Sequence, residues 1–362
     1  MGRSVAVVCP KGGVGKTTIA VNLAATLAEK GKRCLLVGID PQCGIVSCFG
    51  KSRFDIDNGL LDFFDLEGDP GAAIQPSGTA NLDFITSNVW SREEERELQD
   101  GAQRFPERLA AQVERLKRSY DCVLLDCPPN LGALTSAALQ AADDFLVPLQ
   151  AEELAYRALP RLFDGLDEMR RQGRRIPGLL GIVLNLVDPR TRLAADVVAR
   201  VREEYAGQVF TTVIPRSVRL AEVAKRGRPV NQFNRSGLAA TAFGELADEL
   251  LGAFAAGQGS LKAAVVDELQ ALGLGSAEFS LTPPVPVKAR ALEGAAALVG
   301  DPDPAEADWA LEAAPEEGFE REDDERFVSL EDVLAGEDDD GSGNHRPSLD
   351  DYDGGSEDDY YH

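Results

Sequence analysis

The stretch Pro10-Lys-Gly-Gly-Val-Gly-Lys-Thr-Thr18 puts three glycines, two lysines and two hydroxyls within nine residues. Glycines let successive backbone N–H groups turn towards one anion, and a lysine adds a point charge suited to phosphate. In such a cradle Lys16 meets the β- and γ-phosphates and the Thr17 hydroxyl ligates Mg²⁺. A helix that opens directly after the loop contributes the partial positive charge of its N-terminus. The strict G-x-x-x-x-G-K-T spacing is not kept, because Pro10 stands at its first glycine and Lys11 precedes Gly12-Gly13. A dinucleotide-binding turn is not expected either, since G-x-G-x-x-G is absent.

Such a loop has to sit between a strand and a helix, and the chain supplies both. Apolar, β-branched runs at Ser4–Val8, Arg33–Ile39, Leu82–Thr86, Asp121–Leu125, Phe145–Leu149, Leu179–Leu186 and Val209–Ile214 predict strands. Helical stretches at Thr17–Lys30, Pro106–Arg118, Thr135–Ala141, Arg157–Gln172, Leu193–Tyr205 and Leu238–Phe254 lie between or after them. Strands apolar at nearly every position, alternating with helices, predict a doubly wound α/β domain with a mostly parallel sheet. Residues 50–103 are the least regular part and predict an excursion, with turns around Gly68-Asp-Pro-Gly71 and the charged run Arg92-Glu-Glu-Glu-Arg-Glu97. The six cysteines form no C-x-x-C pair and read as small buried hydrophobes.

The variant K-G-G-V-G-K-T-T resembles the deviant Walker A box of the ParA/MinD family of ATPases, a branch of the P-loop NTPases. The resemblance makes Gly12, Gly13, Val14, Gly15, Lys16, Thr17 and Thr18 the nucleotide-binding loop for ATP. It also makes Lys11 the lysine that reaches across a sandwich dimer to the partner's phosphates. Leu35-Leu-Val-Gly-Ile-Asp-Pro-Gln42 is similar to the family's D-x-D-P-Q box, with Asp40 orienting the hydrolytic water; Gly38 replaces the first aspartate. Tyr120-Asp-Cys-Val-Leu-Leu-Asp-Cys-Pro-Pro-Asn-Leu-Gly132 resembles the Walker B strand and loop, so Asp126 is expected on the Mg²⁺ side, through water. Val213-Ile-Pro-Arg-Ser-Val-Arg-Leu-Ala-Glu222 is very similar to the I-P-R-x-V-R-L-x-E segment of ParA proteins, which implies Pro215 and Arg216 against the adenine and Asn185 as a base-edge contact. The resemblance spans roughly residues 3–255 and is closest to the Soj-like ParA partition ATPases.

Residues 190–235 hold ten basic side chains against four acidic ones. ParA proteins bind duplex DNA without sequence preference through this region, so the resemblance implies DNA contacts by Arg216, Arg219 and Arg235. Leu238 stands at the family's second DNA-contacting arginine. The cycle implied is an ATP- and Mg²⁺-dependent homodimer that holds nucleoid DNA until a ParB-like or cargo-specific activator stimulates hydrolysis. That cycle partitions or positions a chromosome, a plasmid or a protein complex. No helix-turn-helix precedes the first strand, so operator autorepression is not expected.

The net charge of −24 is unevenly spread: residues 258–362 carry 28 of the 61 acidic side chains but 6 of the 37 basic ones. A near-neutral ATPase domain (1–256), a linker with a short amphipathic helix at Ser260–Leu272 (257–300) and a disordered acidic tail (301–362) are therefore expected. Within the tail, Phe327, Leu330, Val333 and Leu334 fit one helical face. No run approaches the ~18 apolar residues of a membrane-spanning helix, and a cytoplasmic, nucleoid-associated protein is expected. A MinD-like membrane-associated positioning ATPase is the alternative. That family attaches by a basic amphipathic helix, whereas Ser260–Leu272 sets Lys262 against Asp267 and Glu268, so no membrane partner is expected. A bacterial tyrosine kinase would share Walker-type boxes and a tyrosine cluster (Tyr352, Tyr360, Tyr361) but not the Lys-Gly-Gly start or the I-P-R-x-V-R-L segment.

Overall fold

The computed structural model describes residues 2–64 and 70–255. The chain builds eight strands: β1 (Arg3–Val7), β2 (Cys34–Gly38), β3 (Gln75–Thr79), β4 (Leu82–Ile85), β5 (Cys122–Asp126), β6 (Asp144–Gln150), β7 (Gly178–Val187) and β8 (Val209–Pro215). They form one sheet in the order β3-β4-β2-β5-β1-β6-β7-β8. Every pairing is parallel except β3 with β4. The mostly parallel doubly wound sheet expected from the sequence is therefore present.

Alternation along each strand divides the core. Cys34, Leu36, Cys122 and Leu124 face the helix Lys16–Glu29, whereas Leu35, Val37, Val123 and Leu125 face the helices Pro106–Leu116 and Ala133–Ala141. With both faces covered, no position on β2 or β5 is exposed, which is why these strands read as continuous apolar runs.

The helix Lys16–Glu29 is enclosed by the sheet and the final helix Leu238–Ala255, and this burial explains its polar residues. Buried Asn22 donates to the Thr18 carbonyl at 2.8 Å and accepts from the Val230 N–H at 2.8 Å, while the Thr26 hydroxyl donates to the Asn22 carbonyl. All six cysteines are buried free thiols.

Residues 50–103 hold more order than an irregular excursion. The charged run around Glu93–Glu97 is the start of a helix, Arg92–Arg104, opened by a capping box in which Ser91 and Glu94 satisfy each other's backbone N–H groups. β3 is an additional edge strand that accommodates Pro76 where a ladder donor is not required, with a register shift before Thr79. The linker helix at Ser260–Leu272, the apolar segment around Phe327–Leu334 and the acidic tail all lie outside the described residues.

Candidate nucleotide-binding site

β1 lies where the chain changes direction across the sheet: β2 and β5 lie to one side of it, β6 to the other. In such sheets ligands bind at the carboxyl ends of strands beside that point. The loop Val8–Gly15 leaves β1 there and runs into the helix beginning at Lys16. Gly13 and Gly15 take positive φ values of 76° and 84°, which a residue with a Cβ rarely adopts. At Gly15 a Cβ would also stand 2.4 Å from the Asn185 side-chain nitrogen, so two independent constraints call for glycine.

Within this frame the structure brings together Lys11, Lys16, Thr17 and Asp126. Lys16 is buried, and its ammonium donates to the Lys11 carbonyl at 3.0 Å. The Thr17 hydroxyl donates to Asp126 Oδ2 at 2.7 Å, joining the start of the helix to the end of β5. Asp126 is 2% exposed and its second oxygen, Oδ1, has no hydrogen-bond partner. Burial pushes this carboxyl up to about 7; the Thr17 hydrogen bond and the Lys16 charge oppose the rise, and the Asp40 charge adds to it. A buried carboxylate with an unpaired oxygen beside a threonine hydroxyl is a donor set that suits a hard divalent cation.

Asp40 follows β2 and is half-buried; the Gln42 N–H donates to its carboxylate at 3.0 Å and the Cys43 N–H to its carbonyl at 3.2 Å. Gly38 is the register partner of Asp126 on the neighbouring strand. A Cβ at Gly38 would meet Ile45 Cδ1 at 2.9 Å and Thr86 Oγ1 at 3.6 Å, so an apolar side chain occupies the space where the related family carries an aspartate.

Asn185 has a structural partner within the phosphate loop. It is fully buried near the end of β7, and its side-chain nitrogen donates to the Val14 carbonyl at 2.7 Å, so it props the phosphate loop from below. The next residue, Leu186, has φ +53°, a left-handed conformation that a leucine adopts only where its surroundings dictate it. Pro215 and Arg216 leave the adjoining strand, and the Arg216 N–H donates to the Val187 carbonyl at 2.8 Å, which joins the loops after β7 and β8 into one rim.

The sequence reading missed Glu152, whose Oε2 accepts from the Lys11 ammonium at 3.3 Å. The available signal was an acidic residue just past an apolar strand, at the end of the sheet that carries the phosphate loop.

The basic segment is exposed but partly paired. Arg219 and Arg226 share Glu222 at 3.4 and 2.6 Å, Arg190 pairs with Asp188 at 2.9 Å, and Arg235 approaches Glu29 at 3.5 Å. Arg192, Arg216, Lys225 and Arg228 are exposed as well, and Leu238 is 40% exposed at the start of the last helix. Among the described residues no helix is long and apolar enough to cross a membrane.

A glycine loop between strand and helix at the switch point of a doubly wound sheet, with a Thr–Asp pair beside it, defines a P-loop nucleotide-binding domain. A family model described as an AAA domain matches residues 2–176. The sporulation initiation inhibitor protein Soj of Bacillus subtilis is 36% identical over 250 residues, 69% of this chain and 98% of that protein. The chromosome-partitioning ATPase Soj of Thermus thermophilus is 38% identical over 255 residues, 69% of this chain and 95% of that protein. The crystal structure of cobyrinic acid a,c-diamide synthase from Mycobacterium smegmatis with bound ADP and magnesium aligns with a TM-score of 0.59 at 30% identity, covering 71% of this chain and 97% of that one. The chain belongs to the ParA/MinD family of deviant Walker A ATPases, on the Soj/ParA side.

Proposed function

We propose that the chain is a Soj-like ATPase that binds ATP with Mg²⁺, closes into a homodimer, holds duplex DNA without sequence preference and releases it when a ParB-like or cargo-specific activator stimulates hydrolysis. The carrying observation is the Thr17–Asp126 pair with its unpartnered carboxylate oxygen beside two loop lysines, in a chain over a third identical to two Soj proteins.

In this reading the N–H groups of Gly12 to Thr18 and the Lys16 ammonium bind the phosphate chain. Lys16 leaves the Lys11 carbonyl to do so. Thr17 and Asp126 hold the cation, Asp126 through water, and Mg²⁺ when bound neutralises the charge that develops on the phosphate oxygens. Asp40 orients the attacking water, and Lys11 reaches the phosphates of a second copy. Pro215 and Arg216 line the adenine end, while Asn185 acts by fixing the loop. Arg219 and Arg235, with Arg216, contribute phosphate-backbone contacts on the DNA.

The test is fluorescence anisotropy of the full chain on a random-sequence duplex at one low salt concentration, with ATP, with ADP and without nucleotide, in wild type and Asp40→Ala. Binding that requires ATP, survives Asp40→Ala and falls steeply with salt is the expected result. Absence of binding in every state removes the DNA arm of the reading.

A further inference from the structure

Both ammonium groups of the phosphate loop are held by oxygens of the same chain. Lys16 donates to the backbone carbonyl of Lys11 at 3.0 Å, and the Lys11 side chain donates to Glu152 Oε2 at 3.3 Å. Glu152 is itself fixed: Gln150 donates to its other oxygen at 2.6 Å, and the Glu152 N–H donates to the Gln150 carbonyl at 2.7 Å. Gln150 is the last residue of β6, the strand next to β1, and is 9% exposed, so the carboxylate is mounted on the sheet itself.

We infer that Glu152 is a positioning residue that latches Lys11 within its own subunit until phosphate enters the loop. The inference rests on the reading above, in which Lys11 must reach a second copy. The two hydrogen bonds are linked through one residue. When a phosphate chain draws Lys16 away from the Lys11 carbonyl, the backbone of Lys11 loses an anchor, and the side chain can leave Glu152. The Lys11 and Glu152 side chains are 33% and 46% exposed, so the pair is weak enough to be displaced by a doubly charged phosphate, yet it competes with every approach of Lys11 to a partner. The latch thus sets the ATP concentration at which the dimer forms.

Two readouts test this. In nucleotide-free protein, amine labelling of Lys11 relative to the exposed Lys225 is followed by mass spectrometry in wild type and Glu152→Gln. In the hydrolysis-blocked Asp40→Ala background, sedimentation velocity across an ATP titration gives the midpoint of dimer formation with and without Glu152→Gln. Labelling of Lys11 about two- to fivefold faster in Glu152→Gln, with the midpoint moved down by a similar factor, is expected for a half-exposed ion pair. Equal labelling rates overturn the latch whatever the dimer does. Faster labelling with an unchanged or raised midpoint overturns its role as a gate. Faster labelling in a parent that stays monomeric in ATP upholds the latch and removes the dimer reading instead.

Discussion

The side-chain amide of Asn185, near the end of β7, hydrogen-bonds the carbonyl of Val14 in the phosphate loop across 171 positions of sequence. Both groups are buried, so the bond replaces solvation that neither can recover. Asn185→Ala strands the Val14 carbonyl and should cost about 1–3 kcal/mol of stability by urea unfolding. It should also weaken ADP binding, because the loop loses its support from below. Unchanged ADP affinity in a destabilised variant would restrict Asn185 to the fold.

The Ile45 side chain lies over the backbone of Gly38, where a Cβ would meet it. Gly38→Asp alone drives a Cβ to 2.9 Å from the Ile45 side chain and buries a carboxylate, and should lower stability by about 1–3 kcal/mol. Adding Ile45→Ala makes room, so the double variant should recover part of that loss and hydrolyse ATP faster than Gly38→Asp alone. Thermal melts and phosphate release check the two halves separately; additive effects would show that the residues are not coupled.

The Asp126 carboxyl titrates near 7 in the folded, cation-free chain, against the ordinary aspartate range when unfolded. The folded state therefore holds a proton that the unfolded chain has already lost. The associated stability is present at low pH and is lost as pH rises through 7. In EDTA the melting temperature should fall from pH 6 to pH 8 by more in wild type than in Asp126→Asn. Saturating Mg²⁺ and ADP should flatten the wild-type slope, since a bound cation favours the carboxylate.

Glu222 neutralises two arginines of the basic segment at once. Glu222→Gln should therefore tighten DNA binding in the ATP state, whereas Arg219→Ala should loosen it and lower the slope of log affinity against log salt by about 1. Anisotropy titrations at several salt concentrations separate the two. Equal slopes in Arg219→Ala and wild type would take Arg219 off the DNA.

Most of the sheet was legible because burial on both faces forces apolar residues at almost every strand position, and the phosphate loop was legible because its chemistry allows few alternatives. β3 was not: Gln75-Pro-Ser-Gly-Thr79 contains little that favours a strand, and it is one because β4 offers an edge. The helix at Arg92 was written in the Ser91–Glu94 capping box but lay hidden under a run of charge. Lys16 and Thr17 were legible from the loop's own spacing, whereas Lys11 and Asp126 were singled out by the resemblance to the family's boxes. Glu152 and Ile45 escaped because their partners, Lys11 and Gly38, are distant or unlike them in type, and a single sequence does not show which side chain fills a space left by glycine. Asn185 was read as a base-edge contact, and its hold on the Val14 carbonyl was not legible, since a buried amide and a base-facing amide look alike in sequence.

The helix Lys16–Glu29 begins at the phosphate loop, carries the Val230 backbone on Asn22 and ends with Glu29 beside Arg235. On the other side, the loop that follows Asp40 and Ile45 presses Gly50 against Gly227, so closely that a Cβ on Gly227 would stand 2.4 Å from the Gly50 Cα. The segment from Lys225 to Arg235 is thus clamped between two levers, one rooted in the phosphate loop and one in the stretch that carries Asp40. The arginine-bearing segment thereby shares two packed contact points with the nucleotide end, at Val230 and at Gly227.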